Sequence, residues 1–492
     1  MNLITAGWIL VLVYSGIILF FVIRGAGKTK NISDYAVGSI IFSPYAVGLA
    51  LAASMTSAAT FVINPGFIAL YGFSAVISYA LILPLAAVTS LVILTKRFRN
   101  HGTSVKALTM AQWMGTRYNS KGYALFFAFI SLLLITFIVL IAVGLTKVLS
   151  KTLDVSELYI LIGIVVFIFG YMMFGGANSM VYTNTVQAIL MLVVAFILLG
   201  SGYQHFSSGI SGFIAKLNSI DPKLTGLTNT ASFMFRDFFE IVIAQIIVGA
   251  AIVCQPHIIT KSLLLKNDKD VNKYLIAGVI VELIFFLVVI AGLFARLAFP
   301  ELTYNGVPLK MDGIIPAYVV SEFPVFIGLI VVLGLISAGI STLEGLIQSL
   351  STTITSDIIL KTSAGKKFNP VILNRIVIAL IGIASIYISY DQLMNPKLSV
   401  AIFAQNGVYA YFAAAFFPIL VGMFFKKVPA AAVFTASVTA ITVHFLMYYG
   451  KIGVPFSIST GENPGVAAAV AIIVSFIIGG IVWAISGRKM NA

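Results

Sequence analysis

Charge is scarce in this sequence: Asp, Glu, Lys and Arg together make up 9% of its 492 residues, against roughly 25% in soluble globular chains. A string of soluble domains, which the length alone would suggest, is thereby excluded. Cysteine is nearly absent as well. Cys254 stands alone, so neither an intramolecular disulfide nor a cysteine metal cluster can form. His101, His205, His257 and His444 show no ligand spacing, and metalloenzyme chemistry is not expected. No nucleophile, base and orienting group can be assembled from the few polar residues, which argues against an enzyme of any kind. The 30 basic residues outnumber the 16 acidic ones, but no folded basic domain exists to hold nucleic acid, and the surplus reads as charge sorted between loops. Arg24-Gly25-Ala26-Gly27-Lys28-Thr29 contains the GKT of a phosphate loop, yet Val22 stands where the first glycine of that loop belongs. A plain basic loop is the simpler reading.

What is abundant is apolar length. Hydrophobic residues make up 60% of the chain, gathered into thirteen stretches each long enough to span a bilayer, which takes about 20 residues. An all-α polytopic membrane protein with 13 transmembrane helices is therefore expected. No positive charge precedes the first stretch, and Arg24, Lys28 and Lys30 follow it; it is read as a retained helix entering with its N-terminus outside. Alternate loops should then be cytoplasmic and collect basic residues. They hold Lys96, Arg97, Arg99, Lys106, Arg117 and Lys121, then Lys261, Lys266, Lys269 and Lys273, then Lys361, Lys366, Lys367 and Arg375, and finally Lys426, Lys427, Arg488 and Lys489. The C-terminus is accordingly expected inside, in a cell-membrane protein whose two longest loops, 203–232 and 300–323, lie outside.

Setting the first helix and its loop (1–42) aside, five spans in 43–202 are followed, across the loop 203–232, by five more in 233–425, with two trailing helices in 426–492. An odd-numbered unit repeated in tandem must sit inverted in the membrane, a common transporter plan. The first helix of each unit carries a proline well inside its apolar run, Pro65 and Pro256, preceded by small residues. Interrupted helices at matching positions point to a binding site at the membrane midplane; ordinary proline kinks are the alternative. Two mid-span clusters are rich in hydroxyls: Ala53-Ser54-Met55-Thr56-Ser57-Ala58-Ala59-Thr60, and Ser337-Ala338-Gly339-Ile340-Ser341-Thr342-Leu343-Glu344-Gly345. Each is readable as a tight helix-packing face, or the pair, one from each half, as oxygen ligands closing around one ion.

These motifs, with Phe174-Gly175-Gly176, Thr183-Asn184-Thr185-Val186-Gln187 and Gln255-Pro256-His257-Ile258 in the same order, resemble the solute:sodium symporter family over nearly the whole chain. The resemblance implies the LeuT-like inverted-repeat fold, with one leading and two trailing helices. It also implies sodium as coupling ion, no other cofactor, and import of a small solute by alternating access. Carried over position by position, the family's principal sodium site falls on Ala53, Thr56, Ala338, Ser341 and Thr342. One departure stands out. Many members have an aspartate where this chain has Asn184, and a serine pair where it has Glu344 and Gly345. The negative charge has thus moved across the site, and Asn184 with Glu344 is expected to form a modified second cation or proton site. The rival reading has Glu344 merely hydrogen-bonded to Gln348 one turn on.

The family's solute pocket falls on Met55, Ser57 and Thr60 of the first broken helix, Val248 and Ile252 of the second, and Gln405. For Gln405, as for Asn406, helix-to-helix bonding is the alternative. The third helix of the first unit has no arginine, and Lys147 lies only at its outer end. A carboxylate would have to be met by half-helix N–H groups or by sodium. With few side-chain donors for a sugar ring, a small organic acid or amino acid is the expected solute, and the single chain in its bilayer is expected to be the functional unit. Glu240 sits beside Arg236 and Asp237 near the outer end of its helix, and Glu282, with no sequence-local partner, is expected to face a neighbouring helix rather than a ligand. A proton-coupled carrier on the same fold, or a channel or receptor without transport, are the alternatives.

Overall fold

The computed structural model describes residues 3–363, 365–395, 399–458 and 462–491. Residue 398, where one span is expected to begin, and the side chains of Lys366, Arg488 and Lys489 lie outside the described residues. The architecture is helical, with one two-residue hairpin, Thr303–Tyr304 against Val307–Pro308, in the second long loop. Its principal helices are α1 (Leu3–Ala26), the bent pair α2 and α3 (Pro44–Met55, Ala59–Tyr71), α4 (Phe73–Ser104), α5 (Lys121–Leu153), α6 (Glu157–Gly200), a second bent pair α7 and α8 (Phe239–Ile252, Pro256–Leu264), α9 (Asp268–Ala298), α10 (Val325–Lys361), α11 (Pro370–Met394), α12 (Val400–Phe424), α13 (Ala430–Tyr449) and α14 (Pro464–Ser486).

Ten of these helices are long and apolar enough to cross a membrane singly, and the two bent pairs bring the number to 12. The expected 13 is reached only if α6 counts twice. Its 44 residues would run to about 66 Å, against a hydrocarbon core of about 30 Å. Gly176 divides it, with φ +61°, a conformation closed to most side chains; a Cβ there would also lie 2.6 Å from the Tyr35 ring. The Phe174-Gly175-Gly176 motif is this turn.

The deepest-buried helices are α12 and α10, while α1 and α11 present apolar faces outward. Loops expected on one side of the membrane gather at one end of the molecule. Arg99 pairs with Asp268 and donates to the carbonyls of Ser262 and Leu265, Lys266 reaches the Gly38 carbonyl, and Thr109 and Gln112 donate to Asp357. At the other end Lys147 pairs with Asp312, Asn229 donates to the Tyr71 carbonyl, and Ser457 donates to Asp237. The sorting of loops into two sets therefore agrees with the alternation of spans.

The two interruptions differ in origin. In the second pair the chain leaves the helix at Val253–Gln255, immediately before Pro256, and the two halves meet at 57°. In the first, the break lies at Thr56–Ala58 with a bend of 58°, several residues ahead of Pro65. The expectation that Pro65 marks the interruption is corrected: it lies inside α3, directly after the π-helical turn Ala59–Ile63, a local widening that accommodates a proline without a break. Hydroxyls make the break instead. Ser57 Oγ accepts the Ala59 N–H at 3.1 Å, capping α3 as an N-terminal serine does.

Candidate functional site

The break of the first pair leaves the last carbonyls of α2 without helical partners, and these carry the partial negative charge of a helix C-terminus. α10 runs past them as a regular helix and presents two adjacent hydroxyls. Ser341 Oγ lies 2.7 Å from the Ala53 carbonyl and 3.0 Å from that of Ala338; Thr342 Oγ1 lies 3.3 Å from the Thr56 carbonyl, 3.4 Å from that of Ser54 and 3.2 Å from that of Ala338. The five oxygens expected from Ala53, Thr56, Ala338, Ser341 and Thr342 are thus brought together, all buried. A hydroxyl that donates to a carbonyl can equally turn its lone pairs to a cation. Three carbonyls and two hydroxyls with no fixed charge suit a monovalent ion. No group of three His, Cys, Asp or Glu residues placed to hold a metal occurs among the described residues.

Glu282 of α9 was not anticipated here. It is fully buried, and its Oε2 accepts the Thr56 hydroxyl at 3.0 Å, while Oε1 has no hydrogen-bond partner among the described residues. It does face a neighbouring helix, but the neighbour is the broken one, at a residue whose carbonyl belongs to the oxygen cluster.

Asn184 and Glu344 are also in contact, across α6 and α10. With the Asn184 amide turned as its neighbours require, its nitrogen donates to Glu344 Oε2 at 2.6 Å and to Gln187 Oε1 at 3.0 Å, and its oxygen accepts from Ser54 Oγ at 3.0 Å and from Lys261 Nζ at 3.0 Å. Tyr171 and Thr183 donate to the two Glu344 oxygens at 2.5 and 2.6 Å. Gln348 instead donates to the carbonyls of Tyr35 and Ala36, so the local Glu344–Gln348 pairing is not what the structure forms. Lys261 is a correction of another kind. Counted by its charge among the cytoplasmic-loop bases, it lies at the inner end of α8, is 3% exposed, and turns its ammonium inward. Gly345 packs tightly against α8, where an added Cβ would stand 3.2 Å from His257 Cβ.

A cavity opens next to the oxygen cluster. Of the expected solute residues, Met55, Ser57, Thr60, Ile252 and Gln405 line it; Val248 does not, being packed in the hydrophobic core. Asn64, Tyr79, Phe137, Gln255, His257 and Tyr409 are further walls that sequence reasoning did not assign. The Gln255-Pro256-His257-Ile258 motif is the available signal: it carries the family resemblance and marks the break, but its glutamine and histidine were not assigned to the cavity. Gln255 Oε1, His257 Nδ1 and Gln405 Oε1 are buried without partners among the described residues, as polar groups facing a solute cavity would be. Among the described residues neither Lys nor Arg lines the cavity. On its outer side Phe67, Tyr71, Tyr79, Phe233 and Phe235 form an aromatic cluster, Tyr79 and Phe235 meeting edge to face at 5.2 Å between ring centroids. Glu240 pairs with Arg236 at 2.6 Å.

Two broken helices, an uncharged oxygen cluster at one break and a cavity against both define a multi-pass membrane carrier. The chain belongs to the sodium:solute symporter family, whose model matches residues 35–439. It is 25% identical over 446 residues to a sodium/pantothenate symporter of Haemophilus influenzae, covering 89% of this chain and 88% of that one. The corresponding figures for a sodium/pantothenate symporter of Escherichia coli are 24% over 468 residues, 93% and 91%. Its fold is that of a Na+-coupled sialic acid symporter solved in a substrate-bound outward-open state, with a TM-score of 0.77, 17% identity and coverage of 96% and 98%. The protein is thus a sodium-coupled carrier of a small organic solute with the LeuT-like fold, and not an enzyme.

Proposed function

We propose that this carrier imports a small organic acid or amino acid, with sodium held by Ala53, Thr56, Ala338, Ser341 and Thr342 and the solute held by Met55, Ser57, Thr60, Ile252 and Gln405. The observation that carries the reading is the sharing of one broken segment: Thr56 gives its carbonyl to the oxygen cluster while Met55 and Ser57 on either side of it line the cavity. Sodium clamps the break against α10 and so completes the solute wall, which makes each ligand bind better in the presence of the other. The cavity's amides, hydroxyls and imidazole suit hydroxyl or amide groups on the solute, as in the pantothenate named for the relatives. Its carboxylate is met by sodium and by the N-terminal end of α3. Asn184 and Glu344 form a second cation position. One helix bundle then rocks to open the cytoplasmic side, the N-terminus lies outside and the C-terminus inside, and a single chain is the working unit.

The test is the thermal unfolding midpoint of purified protein in sodium against choline, with pantothenate, proline, short monocarboxylates, glucose and sialic acid. A ligand that binds only the native state raises the midpoint. An organic acid that does so only in sodium supports the reading. Ser341→Ala or Thr342→Ala should weaken sodium about 10-fold or more, as expected for losing a bond to a charged group. Shifts that ignore sodium and follow pH would replace this reading with a proton-coupled one.

A further inference from the structure

The second cation position has its own cation. Lys261 comes from α8, the inner half of the second broken helix, and its ammonium lies 3.0 Å from the Asn184 amide oxygen, whose nitrogen binds Glu344 Oε2 at 2.6 Å. The chain of contacts ammonium, amide, carboxylate joins α8, α6 and α10, and Ser54 of α2 closes it by donating to the same amide oxygen at 3.0 Å. All four residues are buried. The carboxylate is also nearly saturated, with Tyr171 on one oxygen and Thr183 and Asn184 on the other, three of its roughly four acceptor positions.

Charge balance decides what this cluster can take. Taken as an ionised pair, Glu344 brings one negative charge and Lys261 one positive charge. The remaining groups around them, Tyr14, Tyr35 and Tyr171 beside Glu344 and His257 beside Lys261, are ordinarily uncharged at neutral pH. A buried carboxylate without a counter-charge is strongly unfavourable in a membrane. A metal cation could supply that charge, but with the ammonium already there a sodium ion would leave the buried cluster with a net positive charge and would have to displace a bond from the carboxylate.

We propose that Lys261 is a tethered cation that fills the second cation position in place of sodium, so that the carrier binds one sodium ion and uses the Lys261–Asn184–Glu344 relay to fasten α8 to α6 and α10. This rests on the sodium reading of the first site and extends it. The ammonium cannot leave, so the second position holds its positive charge throughout the cycle and adds nothing to the sodium driving force.

Equilibrium binding of radioactive sodium to the purified full-length protein tests this without knowledge of the solute. Wild-type protein and Glu344→Gln should each bind one ion per chain. Lys261→Ala should bind two, because its carboxylate now needs a counter-ion, and the double variant Lys261→Ala with Glu344→Gln should return to one. A wild-type count of two that falls to one in Glu344→Gln overturns the proposal, as does a count of one in Lys261→Ala. Should Lys261→Ala fail to fold, the wild-type and Glu344→Gln counts still decide. Wild-type protein that binds no sodium overturns the sodium reading, a different failure from either of these.

Discussion

In the proposed sodium site Ser341 and Thr342 contribute side-chain oxygens that are visible in a sequence, whereas Ala53, Thr56 and Ala338 contribute carbonyls that every residue has. Only the position of the break makes those carbonyls available. Glu282 shows the limit of sequence reading at this scale: nothing near it in the chain hints that its oxygen holds the Thr56 hydroxyl from 226 residues away. Glu282→Gln keeps an acceptor for that hydroxyl and should leave sodium affinity within about threefold. Glu282→Leu strands the hydroxyl, at a cost of about 1–3 kcal/mol, and should lower both the melting temperature and sodium affinity. Sodium titrations of the melting temperature check both, and equal losses in the two variants would mean that charge, not the hydrogen bond, is what Thr56 requires.

At the scale of elements, the broken helices were legible because small residues and hydroxyls interrupt apolar runs at matching places. The site of the first break was not, since proline attracts attention while Ser57 does the capping. Outside the membrane, the start of α7 is latched to the loop before α14. Asp237 accepts from the Ser457 hydroxyl at 2.7 Å and the Ile458 N–H at 2.8 Å. Partial burial would raise its carboxyl, but these bonds and the N–H groups of Glu240 and Phe239 outweigh it and hold the group below the usual carboxylate range. For a carboxyl lowered on folding, the stabilisation is fully present above its unfolded value, about 3.9, and is lost as pH falls through the lower folded value. The latch should therefore be indifferent to pH between about 5 and 8 and weaken only below about 4. Asp237→Ala should remove it at neutral pH, read as at least about tenfold faster hydrogen exchange at the Ile458 amide; protection that already declines near pH 6 would contradict the assignment.

Over the whole molecule, sidedness is carried by charge. The loops that gather around Arg99, Lys266 and Arg117 are the basic set, and by the positive-inside rule the proposed topology has that end in the cytoplasm. In a Cys254→Ser background, which removes the one native thiol, Ser207→Cys should react with a membrane-impermeant maleimide in intact cells. Lys28→Cys should react only after permeabilisation. Labelling in the reverse pattern would invert the topology. Both positions are exposed, so accessibility of the side chain itself does not limit the experiment.

The sequence by itself determined the class of molecule, the alternation of spans, the two broken helices and the hydroxyl half of the oxygen cluster proposed to hold sodium. Each depends on residue type along the chain: apolar length, loop charge, small residues beside proline, adjacent serine and threonine. Only the tertiary structure decided that Lys261 turns inward to Asn184, that Glu282 holds Thr56, and that Val248 leaves the cavity to Tyr79, Phe137 and His257. Those choices depend on which helix faces overlap after packing. A lysine at a helix end reads as a solvated loop charge until an amide and a carboxylate from two other helices are brought within reach, and nothing in the local sequence encodes that distance.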